Sequence, residues 1–159
     1  MTVPAGAACA LVQTRVVEIV TLASVVVVGV EVEARFDELA GVVPAAWRTV
    51  FERAGEIEGR VGDTFTEVST SLGDGRYREL LGARVDVSAP VPVGMRRLEL
   101  PAARWVGGHE PVPVERVADA FGVMQAWATA NGEQPDGVLL DDGYRPDGDR
   151  LHTLHVRLR

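Results

Sequence analysis

The chain has 159 residues, 47% of them hydrophobic and 25% charged, with a formal net charge of −7 and a sequence pI near 5.0. That size and balance suit one globular domain with its own core and exclude a disordered chain, while the negative field repels phosphate backbones, so no nucleic-acid partner is expected. All 16 basic residues are arginine, which removes lysine Schiff bases and the Walker-type phosphate loop from the candidate chemistries.

Met1 to Thr14 is a small-residue tail containing the single cysteine, Cys9. One cysteine cannot form an intrachain disulfide, and the first basic residue is Arg15, so a secretory signal is not expected and the cytoplasm is the natural compartment. Val16 to Val30 is apolar but carries Glu18 and is shorter than the roughly 18 residues of a membrane span, so it reads as a buried strand. Its continuation alternates as Val30, Glu31, Val32, Glu33, with a kink at Leu22-Ala23-Ser24. Phe36 to Gly41 is a connector with about one helical turn. Pro44 then suits the first turn of a helix whose Val43, Trp47, Val50, Phe51 and Ala54 share a face and which Gly55 stops. Thr64 to Ser71 and Tyr77 to Val87 flank Leu72-Gly73-Asp74-Gly75-Arg76, a hairpin connection. Ala89-Pro90-Val91-Pro92 links two halves.

In the second half, Met95 to Leu100 and Arg104 to Gly107 form a strand interrupted at Pro101. From Val114 a helical pattern returns through Val117, Ala120, Phe121, Met124, Trp127 and Ala128, ending at Asn131-Gly132. Gly137 to Tyr144 and Leu151 to Leu158 make a final hairpin around Arg145-Pro146-Asp147-Gly148-Asp149. The segment from Val17 to Ser71 and that from Arg97 to Tyr144 thus repeat one strand-helix unit, and the seam between the copies is the natural ligand cleft.

Asp142 and Tyr144 lie two apart on a strand, so one carboxylate and one phenol face the same side; the alternative is a solvated strand end. Trp105 lies on a strand and is the candidate aromatic wall, with Tyr77 opposite, where a cation gains roughly 0.5–2 kcal/mol over such rings. Trp47 and Trp127 occupy apolar helix faces, where core packing competes with a ligand role for Trp47. Glu67 is the first-half counterpart of Asp142; either it faces water, or the two carboxylates split their pKa values and act as acid and base.

His109 is expected to brace the start of the second helix. His152 and His155 are three apart on a strand and leave opposite faces, so they cannot share a metal. Ser69, Thr70 and Ser71 lack a histidine partner nearby in sequence, and Asp141, Asp142, Asp147 and Asp149 lack EF-hand spacing. Neither a metal nor a cofactor is expected.

The order of these pieces resembles the GyrI-like small-molecule-binding domain, also found as the effector-binding part of AraC-type and MerR-type multidrug regulators. The likeness spans Val16 to Leu158. It rests on Val43-Pro44-Ala45-Ala46-Trp47, on Tyr77 to Val85 for the family's "Tyr…Gly-x-x-Val" strand, on Leu100-Pro101-Ala102 with His109, and on Asp142-Gly143-Tyr144 where the family has Glu-x-Tyr. His109-Glu110-Pro111 departs from the family's His-x-Gly. The resemblance implies an α+β fold of two strand-helix-strand-strand modules, residues 15–88 and 93–159, related by a pseudo-two-fold and sharing a cupped antiparallel sheet with two main helices. It further implies a bacterial, free-standing member that takes up bulky apolar or cationic aromatic compounds, in a setting of multidrug binding and antibiotic resistance, with Asp142 where relatives carry a buried glutamate. Three functions follow as expectations. One is cytoplasmic sequestration of such a compound. The second is an enzyme of the same fold that hydrolyses or cyclises a reactive natural product through Asp142, Glu67 and Tyr144. The third is an inhibitor of a protein target, such as a gyrase modulator. No membrane partner is expected, and a homodimer is left open.

Overall fold

The computed structural model describes residues 17–108, 110–148 and 151–159. The expected tail with Cys9, the brace at His109, and Asp149 lie outside the described residues. The chain runs β1 (Val17–Leu22), β2 (Val25–Arg35), α1 (Leu39–Glu52), β3 (Phe65–Gly73), β4 (Arg76–Arg84), β5 (Arg96–Leu100), β6 (Ala103–Gly108), α2 (Val117–Ala130), β7 (Pro135–Tyr144) and β8 (Thr153–Leu158). All eight strands join one antiparallel sheet in the order β1-β6-β8-β7-β3-β4-β2-β5. The order reads the same outward from its centre: β7, β8, β6 on one side and β3, β4, β2 on the other. The junction of the two halves is the β3–β7 pair.

The kink at Leu22-Ala23-Ser24 is a full break. β1 pairs with β6 at one edge, while β2, two residues later, pairs with β4 and β5 near the other. The second half repeats the device, since Pro101-Ala102 separates β5 on β2 from β6 on β1. Links this short force the two edges towards each other, so the sheet curls.

Strand alternation gives the curled sheet two apolar faces. On one, Val26, Val28, Phe65, Leu81 and Ala83 pack under Ala46, Trp47 and Val50 of α1, and Val106, Leu154, Val156 and Leu158 pack under Ala120, Met124 and Ala128 of α2. On the other, Val25, Val27, Val68, Leu80, Trp105, Val138 and Leu140 pack on one another inside the curl. The valine run Val25 to Val28 is buried throughout because its residues serve the two faces alternately.

Local signals explain the elements and two departures from the sequence reading. The β3–β4 turn places Asp74 and Gly75 at φ 54° and 73°, the left-handed pair of a type I′ hairpin turn. Helix α1 begins at Leu39, with Pro44 inside it; a 3-10 turn over Phe36–Glu38 leads in, and the Glu38 carboxylate accepts the Arg35 N–H at 3.0 Å, the reciprocal half of a capping box. Gly55 does not stop α1. The helix ends on Arg53, whose N–H donates to the Thr49 carbonyl at 3.1 Å and whose guanidinium pairs with Glu56 at 2.6 Å, with Gly55 in the 3-10 turn that follows. Helix α2 closes at Asn131-Gly132, where the Glu133 N–H donates to the Ala128 carbonyl at 2.9 Å, the wrap of a Schellman motif.

Candidate functional site

Between the two helices the sheet is left uncovered. The cavity there has a volume of about 640 Å³, within the range of small-molecule sites. Its floor is the β3–β7 junction with β4, and its walls are Phe36 just before α1, Leu39 at the start of α1, and Val117, Phe121 and Gln125 of α2. Phe36 is 73% exposed and tilts against Tyr77 with ring centroids 5.9 Å apart, so an aromatic pair flanks the mouth.

The floor is acidic. Residues of one parity on the three central strands face the cavity: Glu67 and Ser69 on β3, Tyr77 and Glu79 on β4, Leu139 and Asp141 on β7. Glu67 stands opposite Asp141 and Ser69 opposite Glu79, which gathers three carboxyl groups from three strands. Among the described residues that line the cavity, none is basic.

Glu79 is 3% exposed; its Oε1 accepts the Ser69 hydroxyl at 2.8 Å, while Oε2 has no protein donor at hydrogen-bond geometry. Burial, reinforced by repulsion from Glu67 and by the proton the two carboxyls share, and opposed by the Ser69 hydrogen bond, pushes its carboxyl up to about 9. Burial likewise raises Glu67, opposed by a hydrogen bond from Tyr144. Burial raises Asp141 as well, against the hydrogen bond and charge of His152. The Asp141 Oδ1 lies 2.7 Å from His152 Nδ1, and that histidine is fully buried. Tyr144 is hydrogen-bonded to both Glu67 and Asp141, and burial with their two charges drives its phenol well above the ordinary range. Its O–H is therefore a donor at neutral pH. The ring is fixed between Trp47, stacked at 4.3 Å, and His152, edge-on at 4.6 Å.

Several sequence-predicted residues stand elsewhere. Asp142 and Tyr144 do not share a face. The β3 partners Phe65 and Thr66 are consecutive, yet they pair with Tyr144 and Asp142, so Gly143 is an extra residue on β7, a β-bulge that resets the alternation. Gly143 has φ 150°, and a Cβ there would meet the Leu151 carbonyl at 2.8 Å. Asp142 consequently points to the opposite face, where it accepts the Thr66 hydroxyl at 2.5 Å and pairs through both oxygens with Arg84. The cavity acid on β7 is Asp141.

Trp105 is not a ligand wall. It is 1% exposed, within the core inside the curl, with His155 edge-on at 6.3 Å. Tyr77 and Glu67 do line the cavity, and Trp47 stands behind it, stacked on Tyr144 and with its indole directed at the Glu67 carboxyl. His152 and His155 leave opposite faces of the sheet, one towards Tyr144 and one towards Trp105.

Sequence reasoning missed Glu79 and undervalued Asp141, and parity could have found both. Glu79 falls in step with Tyr77, Leu81 and Ala83, and Asp141 with Leu139, so each is a carboxylate on the apolar parity of its strand. Among the described residues no three His, Cys, Asp or Glu side chains are grouped to hold a metal ion, and no helix is long and apolar enough to cross a membrane.

No family model matches the sequence, and no curated protein matches it. Solved structures do. A Staphylococcus aureus MU50 protein described in terms of transcription regulation is 9% identical, with 90% of this chain and 97% of that one covered at a TM-score of 0.66. The protein SAV2435, solved with tetraphenylphosphonium, is 9% identical, with 90% and 93% covered at 0.65. The C-terminal domain of EcmrR is 11% identical, with 90% and 96% covered at 0.62. Such low identities speak to architecture, and with the two-helix cupped sheet they show that the chain has the fold of the GyrI-like small-molecule-binding domain.

Proposed function

We propose that this protein binds and sequesters a bulky aromatic cation in the cavity over the β3–β7 junction, as a cytoplasmic small-molecule binder. The observation that carries the reading is the composition of the cavity: aromatic and aliphatic walls around Glu67, Glu79 and Asp141, with no basic side chain among its described lining. Buried carboxylates without a cation are costly, which is why all three hold protons more tightly than in water. A ligand carrying positive charge supplies the missing partner, and Phe36, Tyr77 and Phe121 offer it aromatic faces. SAV2435, of the same fold, was solved with tetraphenylphosphonium, an aromatic cation of that class.

A second reading rests on the Tyr144 phenol held between Glu67 and Asp141. Such a donor hydrogen-bonds a leaving group or carbonyl without giving up its proton, while Glu67, whose pKa burial raises, gives or takes the proton, as an acid/base hydrolase or cyclase requires. The two readings separate in one experiment. The protein is titrated with aromatic cations under tryptophan fluorescence, Trp47 being stacked on the cavity residue Tyr144, and each mixture is followed by mass spectrometry. Saturation at one equivalent with the compound unchanged is the expected outcome; no binding by any cation contradicts it, and more than one product per protein makes the site catalytic.

A further inference from the structure

Glu79 is the residue in the cavity whose hydrogen bonding is incomplete. Its Oε1 is taken by Ser69 at 2.8 Å, and the side chain, which lines the cavity, is 3% exposed; Oε2 has no protein donor at hydrogen-bond geometry, and the group Glu79 shares a proton with is the carboxyl of Glu67, another acceptor. Buried carboxylate oxygens are nearly always hydrogen-bonded, so a carboxyl left to share a proton with another carboxyl beside a cavity marks where a ligand donor belongs. Two further acceptors adjoin it. Ser69 sits opposite Glu79 in the β3–β4 register, and its hydroxyl oxygen keeps lone pairs after donating. Glu67 is two residues along β3 from Ser69 on the same face, a diagonal neighbour of Glu79 at roughly 7–8 Å between backbones, within reach of two long side chains.

This proposal rests on the cation-binding reading above and narrows its ligand. We propose that the ligand's positive group is a primary ammonium, which docks between Glu79, Glu67 and Ser69 while its aromatic body lies between Phe36, Tyr77 and Phe121. A primary ammonium carries three N–H donors and no acceptor, so it fills Glu79 Oε2 and bridges to Glu67 at once. A quaternary ammonium or phosphonium brings charge but no donor, and it leaves Oε2 unsatisfied in an even drier site. Charge-assisted N–H···O bonds are about twice as strong as neutral ones, so the site prefers the donor-bearing cation. Because Glu79 holds its proton until about pH 9, ammonium binding releases that proton, and affinity climbs as the pH is raised towards that value.

The test compares a naphthyl-bearing primary amine with its N,N,N-trimethylammonium derivative on the intact chain by isothermal calorimetry at pH 8, with tetraphenylphosphonium as a third probe. The amine is expected to bind at least tenfold more tightly than its trimethylated form, and Glu79→Gln to narrow that ratio to less than threefold. The wild-type ratio alone decides, so a variant that folds poorly does not shield the proposal. Equal affinities, or tighter binding of the trimethylated form, overturn it and leave the cation reading standing. Binding of tetraphenylphosphonium but of neither naphthyl compound also overturns it. Failure of all three probes removes the cation reading and this proposal together.

Discussion

Glu79 links the stability of the empty protein to pH. Its folded pKa of about 9 lies above the ordinary value of 4.5, so between those values the folded chain holds a proton that the unfolded chain has released. Folding is therefore undisturbed by this group below about pH 4.5 and is progressively weakened as the pH rises towards 9. Glu67, raised by the same burial, acts in the same direction. Glu79→Gln removes the ionisation, and its melting temperature is expected to gain on the wild type steadily from pH 5 to pH 9. A pH-independent difference would contradict the assignment. At Gly143 the backbone, with φ 150° and the Leu151 carbonyl 2.8 Å from any added Cβ, makes Gly143→Ala a loss of about 1–3 kcal/mol, measurable by urea denaturation. Neither Glu79 nor Gly143 stands out when residues are read singly. Glu79 becomes legible only when strand parity is followed through Tyr77, Leu81 and Ala83, and Gly143 looks like any glycine before a turn.

Among the elements, β7 shows where such reading succeeds and where it stops. Alternation places Leu139 and Asp141 on one face and Val138 and Leu140 on the other, as a regular strand must. By the same alternation Asp142 lies on the face of Val138 and Leu140, bonded to Thr66 and Arg84. The residue inserted at Gly143 then carries Tyr144 onto the Asp141 face, and the insertion depends on how β8 returns through Leu151 and His152, which β7 itself does not encode. Asp142→Asn is expected to cost about 1–3 kcal/mol by weakening its bonds to Thr66 and Arg84, while affinity for an aromatic cation stays within threefold of wild type. A tenfold loss of affinity without loss of stability would return Asp142 to the cavity. The breaks at Ala23-Ser24 and Pro101-Ala102 had the same limit. Each was visible as an interruption, but the choice of β6 or β2 as partner is made by chain segments some eighty residues away.

For the whole molecule, the repeat was readable because each copy carries its own strand-helix periodicity, and periodicity is local. The cavity was readable only as a seam. Its walls come from the entry to α1 and from along α2, and its acids from three strands, so no short motif contains it. The same assembly sets its electrostatics: arginines pair at the surface, as Arg78 with Glu33 at 2.6 Å and Arg104 with Glu133 at 2.7 Å, and among the described residues none that lines the cavity beside the central acids is basic. Since those acids are shielded from solvent, cation affinity is expected to change by less than threefold between 50 and 300 mM salt, on the order of what screening does to a buried pair; a steep salt dependence would place binding on the outer surface.

Selection of positive charge by the buried carboxylates is measured with two probes of similar bulk, tetraphenylphosphonium and neutral triphenylphosphine oxide, titrated into wild type and Glu67→Gln at pH 8. The cation is expected to bind wild type at least tenfold more tightly than the neutral compound, and Glu67→Gln to remove most of that preference. Equal binding of the two probes to wild type, or a preference unchanged in the variant, would contradict it.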